Sequence, residues 1–350
     1  MLLVIFGAGA SYDSAPMRRP ERFPNDEYRP PLAKQLFEDR PVFRDAMRRF
    51  QACLPVIPRL QREEVEGELE NLLREADGYP QRHRQLAAIK YYLQYTLWEC
   101  GYRWSDQALR GVSNYTTLLD AIEHRRLKAA REAPPLGSYT EVLLVTFNYD
   151  TLLEIGLKDA LGFEALSIPD YIEEARPYKL IKVHGSTNWV RDVEGEIARA
   201  QGGNVWAVAA ELIERVSEVA ISNRYRILRP GHPFGDDSRG LGFPAVAIPV
   251  ENKQMFECPE EHLAALRAAL PRTEKILIIG WRGSDRHFVK ELRATLRAGV
   301  RCLVVAGTRD AAKEIADRLG NELSCDLFLT DGGFSDLVTN IERVDDFLRQ

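Results

Sequence analysis

VLLVTFNYD, Val142–Asp150, decides how the rest of the chain is read. Val142–Phe147 is an apolar run of strand length with the composition of a strand buried on both faces, and Asn148, Tyr149 and Asp150 stand where it stops. In open α/β sheets ligands collect beyond the carboxyl ends of the strands, so polar side chains delivered there are candidates for a site. The arrangement recurs twice. Leu180–Val183 delivers His184 and Gly185 within KVHGS, Lys182–Ser186, and Leu2–Phe6 runs into GAGAS, Gly7–Ser11. Such a glycine turn lets backbone N–H groups approach a phosphate.

With 350 residues, 45% of them hydrophobic, the chain can build one large α/β core with insertions or two domains sharing a cleft, and disorder is not expected. The net charge of −5 gives no global attraction to nucleic acid, and arginines are interspersed with acids in runs such as Arg62–Glu75, the pattern of a solvated helix face. Direct binding of nucleic acid is therefore not expected. The N-terminal apolar run, Leu2–Phe6, is too short for a signal peptide or a spanning helix, and no later run approaches about 18 apolar residues. A cytoplasmic protein without a membrane partner is the expectation. The five cysteines, Cys53, Cys100, Cys258, Cys302 and Cys325, form no close pair, and the histidines show no HxxxH spacing, so neither a disulfide framework nor a metal is implied.

Along the chain, the polar segment Tyr12–Pro31 reads as a loop. Helical spacing follows at Leu32–Phe50, Leu60–Ala76, Gln81–Cys100 and Thr116–Ala130, and Pro134, Pro135 and Gly137 punctuate its end. Strands are expected at Val142–Phe147, Lys179–Val183, Ala245–Val250, Lys275–Ile279, Arg301–Val305 and Asp326–Leu329, with helices at Asp285–Ala298, Asp310–Leu319 and Phe334–Arg349 between and after the last of them. This alternation implies parallel strands with crossover helices. The expected fold is α/β, a doubly wound, Rossmann-like parallel sheet over residues 1–350, with a helical insertion at 32–133 and a smaller insertion at 187–244. Within the latter only a helix near Val205–Val219 and the loop Gly231–Gly242 are readable.

Each candidate residue has a structural role beside a chemical one. GAGAS departs from the dehydrogenase fingerprint, which needs glycine where Tyr12 stands, so hydride transfer is disfavoured and the turn is either a plain tight turn or a diphosphate cradle with Ser11 adding a hydroxyl. Asn148 could be a turn former, and Asp150 could cap the helix expected at Thr151–Ala160. His184 could be a hydrogen-bonded structural histidine, although Gly185 opens the backbone beside it. Ser284 and Asp285, in ILIIGWRGSD at Ile276–Asp285, could cap the helix that begins at Arg286.

GAGAS, TFNYD and KVHGS, in that order, resemble the GAG-x-S, T-x-N-x-D and HG motifs of the SIR2 (sirtuin-related) family, and Ile276–Asp285 resembles the strand and Gly/Ser turn that close the cofactor site in its members. The motifs reach from residue 7 to residue 285, most of the chain. The resemblance implies NAD⁺ as substrate, with Gly7, Ala8, Gly9 and Ser11 at the diphosphate, Gly280 and Ser284 as further contacts, and Asp150 holding the nicotinamide. By the same likeness Asn148 orients the ribose or an attacking water, and His184 acts as base on a ribose hydroxyl or that water. These roles suit cleavage of an N-glycosidic bond through an oxocarbenium-like transition state, in which the cationic nicotinamide leaves without a general acid.

Protein-deacylating members of the family generally carry a four-cysteine zinc ribbon, whose pattern this sequence lacks. The resemblance is therefore to the zinc-free NAD⁺ glycohydrolases of bacterial anti-phage defence. It implies an effector that depletes NAD⁺, homo-oligomerises and works with a sensing partner, a HerA-type ATPase being one precedent. The alternatives are an NAD-dependent protein deacylase and a non-catalytic module that senses NAD or ADP-ribose.

Overall fold

Short runs of Leu, Ile and Val set the architecture. The computed structural model describes residues 1–15, 26–62, 64–106, 112–131, 139–194, 205–228, 242–250 and 255–349, without the side chains of residues 130 and 131. The punctuation at Pro134, Pro135 and Gly137, most of the Gly231–Gly242 loop and the middle of Tyr12–Pro31 lie outside the described residues. The strands are β1 Leu2–Phe6, β2 Val142–Thr146, β3 Tyr178–Lys182, β4 Gly185–Glu194, β5 Ala220–Ile227, β6 Gly242–Val246, β7 Lys275–Ile279, β8 Val300–Val305 and β9 Cys325–Thr330. The helices are α1 Ala8–Tyr12, α2 Pro41–Arg49, α3 Ile57–Arg62, α4 Val65–Ala76, α5 Pro80–Trp104, α6 Asn114–Arg131, α7 Leu152–Leu161, α8 Val205–Glu214, α9 Glu260–Ala269, α10 Arg286–Thr295, α11 Arg309–Gly320, α12 Gly333–Thr339 and α13 Glu342–Arg349.

Six strands form one sheet in the order β3-β2-β1-β7-β8-β9, every neighbouring pair parallel. Counting only the members of this sheet, that is the doubly wound order 3-2-1-4-5-6, and the expected fold class is the one observed. Strands β1, β2 and β7 are buried at every residue, because helices such as α6, α7, α10 and α12 cover both faces and their apolar residues join a single core. The direction of sheet building reverses between β1 and β7, so a crevice opens beyond their carboxyl ends. GAGAS leaves β1 there, and the Gly280–Asp285 turn leaves β7 beside it.

Several expected elements differ in the structure. The strand expected at Ala245–Val250 is β6, three to four residues earlier, and it belongs to a second, antiparallel sheet of order β5-β4-β6. Strands β4 and β5 were not expected at all. Polar residues such as Asn188, Arg191 and Asn223 interrupt both, and β5 is buried at no position. The helix expected over Leu32–Phe50 is a 3₁₀ turn, Ala33–Gln35, followed by α2 with Pro41 in its first turn, where a missing N–H costs nothing. Leu60–Ala76 is divided between α3 and α4, Phe334–Arg349 between α12 and α13, and α8 stops at Glu214. Helix α9 has no counterpart in the sequence reading.

Helices α2 to α5 bring a second apolar cluster, in which Phe43, Leu69, Leu72, Tyr91 and Tyr92 pack with Phe243 and Val246 of β6. The 25-residue α5 is its spine. Gln94, on α5 and fully buried, donates from Nε2 to the carbonyls of Thr187 (3.0 Å) and Trp189 (3.1 Å), where β4 shifts register against β6. The parallel sheet and the second sheet are joined through Val183 and His184, between β3 and β4, and at Gly185, where β4 begins. Gly185 has φ +79°, and a Cβ there would stand 1.9 Å from the Ala245 carbonyl oxygen. The bare backbone expected to favour a ligand instead admits β6, whose continuation donates Ala247 N–H to His184 O (2.9 Å). Gly185→Ala should therefore destabilise the fold by roughly 2–5 kcal/mol through left-handed strain and overpacking. A lowered urea midpoint at unchanged slope is expected, and an unchanged midpoint would contradict this account of the junction.

Candidate functional site

The turn after β1 exists because three glycines let two backbones touch. A Cβ on Gly7 would lie 2.5 Å from Trp281 Cα, one on Gly9 2.9 Å from Gly280 Cα, and one on Gly280 2.3 Å from Ala10 N. Gly280 itself has φ +64°, a conformation suited to glycine. Gly7 N–H donates to Ile279 O (3.0 Å) and Gly9 N–H to Gly280 O (3.1 Å). These two amides are thus engaged by the protein and not left for a phosphate, so the glycines serve first to seat the turn against β7.

Above this contact lies a cleft of about 600 Å³, within the usual range for a small-molecule site. All nine residues singled out in the sequence line it: Gly7, Ala8, Gly9, Ser11, Asn148, Asp150, His184, Gly280 and Ser284. Leu36, Leu97 and Val250 of the second cluster supply part of the opposite wall, and Phe147 and Trp281 stack at 4.9 Å on the sheet side. Gly307, Ala311 and Ile315 extend the cleft past the end of β8. At its edge Arg282 pairs with Glu66 of α4 at 2.7 Å, a contact between the turn after β7 and the helical cluster.

Asn148 is 6% exposed and fixed by its own amide. Its Nδ2 donates to Ser11 Oγ (2.8 Å) and to Tyr115 OH (3.2 Å), which are themselves hydrogen-bonded at 2.9 Å. Burial pushes the Tyr115 phenol well above its ordinary pKa, so it stays a neutral hydroxyl at physiological pH. Both amide hydrogens are used, and Asn148 Oδ1 is a buried acceptor with no partner among the described residues. Such an atom costs free energy unless a ligand or water donates to it.

His184 sits with its ring edge-on to Phe147 (4.9 Å, 84°) and 6.1 Å from the Tyr149 ring, whose phenol burial also holds protonated. Its Nε2 lies 2.9 Å from Asp285 Oδ2. Asp285 accepts Phe288 N–H on its other oxygen (2.8 Å), which makes it the N-cap of α10 as expected. Asp150 is not the N-cap of α7. That position is Thr151, while Asp150 Oδ1 accepts Leu152 N–H (3.1 Å) in a local turn.

Three residues of this region carried no functional reading in the sequence. Tyr115 stands 33 residues before Asn148, and no local signal marks it. Asp285 was readable only as a cap. Lys182, fully buried at the end of β3, donates to Asp150 O (2.5 Å) and to Glu154 Oε1 (2.8 Å) and so clamps the Asn148–Asp150 loop from beneath; a lysine within a buried strand run was its one visible sign.

No family model and no curated protein matches the chain. Among solved structures, a Sir2 homologue mutant in complex with 2′-O-acetyl ADP-ribose is similar with TM-score 0.43 and 14% identity, over 100% of this chain and 93% of that one. A Sir2 homologue in complex with NAD gives 0.37 and 13%, over 98% and 90%, and a Sir2 homologue mutant in complex with ADP-ribose 0.38 and 14%, over 99% and 93%. Scores this low carry no argument about activity, which rests on the residues themselves.

Lys182→Met should cost about 3–5 kcal/mol, because Glu154 would be left largely buried without its cation. Adding Glu154→Gln should recover at least half of that loss in a denaturation cycle; strictly additive effects would show that the pair does not hold the loop.

Proposed function

We propose that the cleft binds NAD⁺ and hydrolyses its nicotinamide–ribose bond. The observation that carries this reading is Asn148, buried beside the β1 turn with both amide hydrogens engaged and Oδ1 unpartnered, in the same cleft as His184. An acceptor of that kind suits a ribose hydroxyl or an ordered water. The cleft runs across the point where sheet building reverses, which suits a dinucleotide with one nucleoside on each side and its diphosphate near the β1 turn.

In the proposed reaction the C1′–N bond breaks and its electron pair leaves with nicotinamide, which becomes neutral. Water forms the new C1′–O bond, and its proton passes to His184 and then to solvent, giving ADP-ribose, nicotinamide and a proton. A positioned base contributes about 10²–10⁴-fold, and orientation of the ribose supplies much of the rest. Asp150, held by Leu152 N–H, is assigned to the nicotinamide carboxamide, and Ser11, Ala8 and Ser284 to the rest of the dinucleotide. The motif resemblance extends the reading to an NAD⁺-depleting defence effector that assembles with copies of itself and with a sensing partner. A deacylase would instead yield an acylated ADP-ribose from an acyl-peptide.

His184→Ala and Asn148→Ala should each abolish NAD⁺ cleavage, by about 10²-fold or more, while part of the NAD⁺ affinity remains in calorimetry. Their effects should be strongly non-additive, since both groups act on one ribose. Undiminished NAD⁺ consumption by His184→Ala would refute the mechanism.

A further inference from the structure

Asp285 has two hydrogen-bonding oxygens and a use for each. Oδ1 accepts Phe288 N–H at 2.8 Å, and Oδ2 lies 2.9 Å from His184 Nε2. The N-cap bond fixes the carboxylate to the start of α10, and the residue is 7% exposed, so the group facing His184 is rigid and shielded from water. An ionised carboxylate only accepts hydrogen bonds, which requires the proton of a neutral His184 to be on Nε2. The nitrogen left to act as base is then Nδ1. Other polar and charged groups that line the same cleft come from separate elements: the neutral Tyr149 phenol, its ring 6.1 Å from the imidazole, and Asp150 from the loop after β2, Glu66 from α4 and its partner Arg282 from the turn after β7. Asp285 Oδ2 is within hydrogen-bond distance of the imidazole.

We propose that Asp285 is the positioning residue for His184, holding the imidazole as its Nε2–H tautomer and stabilising the cation formed when Nδ1 takes the proton. This rests on the glycohydrolase reading for its catalytic meaning, but the pairing itself is independent of substrate. The roles parallel a buried carboxylate behind a catalytic histidine, where the carboxylate orients the ring and does not itself take the proton.

Asn and Ser cap helices about as well as Asp, so Asp285→Asn and Asp285→Ser keep the start of α10 while removing the charge. The test is ¹⁵N-imidazole NMR of the ligand-free protein, with the His184 signal assigned by its loss in His184→Ala, together with a pH profile of NAD⁺ cleavage. Removing an adjacent anion destabilises the protonated ring, so the His184 pKa should fall by roughly 1–2 units in both variants. The acid limb of kcat/KM should move to lower pH by the same amount, and kcat should drop roughly 10²-fold. If the folded variants keep the His184 pKa and its tautomer, the proposal is overturned. It is equally overturned if the pKa falls while the rate and the acid limb stay unchanged. Should the unmodified protein leave NAD⁺ intact, the glycohydrolase reading fails, and the NMR titration alone decides whether Asp285 sets the state of His184.

Discussion

The contact on which the site depends is made by backbone alone: the turn after β1 lies against the turn after β7 with no side chain between them. Gly7, Gly9 and Gly280 each occupy a place where a Cβ would fall within 3 Å of the opposing chain. Because β1 and β7 are the strands between which the sheet reverses its direction of growth, this contact forms the floor of the crevice. A bulkier residue at any of the three would part the two turns, and with them Ser11 on one side and Asp285 on the other.

From that floor the polar groups are arranged in two separate sets. Ser11, Tyr115 and Asn148 form a closed triangle of hydrogen bonds linking α1, α6 and the loop after β2. His184 and Asp285 link the end of β3 to the cap of α10. Each set joins elements that are distant in sequence, and each is buried enough that its hydrogen bonds are not exchanged for water. Lys182 supports both, since it holds Asp150 O two residues before its own chain reaches His184. Rigid placement of this kind is what a site needs if orientation is to supply much of its rate.

The centre of the parallel sheet was legible because its strands are buried on both faces: LLVIF, VLLVT and KILII announce themselves without any alternation to decode. The glycines and polar residues just beyond them were legible for the same reason, and all nine candidates reach one cleft. The second sheet was hidden because β5 exposes or half-exposes every residue and β4 mixes Asn188, Arg191 and Asp192 among apolar positions, so neither carries a clean period of two. At the glycines a packing role stands beside the chemical one. At Gly7, Gly9 and Gly185 the missing side chain makes room for protein backbone, a demand set by tertiary packing that one sequence does not express. Tyr115 was invisible for a related reason, as its partners lie 104 and 33 residues away.

The central claim is that this cleft cleaves NAD⁺ using water. Its most direct test is to incubate the purified full chain with NAD⁺ and resolve the products by chromatography, with His184→Ala as the blank. Nicotinamide and ADP-ribose appearing in equal amounts, without any acyl-peptide and only with the unmodified protein, is the predicted result. NAD⁺ recovered intact, or consumed only when an acyl-peptide is added and then with an acylated ADP-ribose as product, would contradict it.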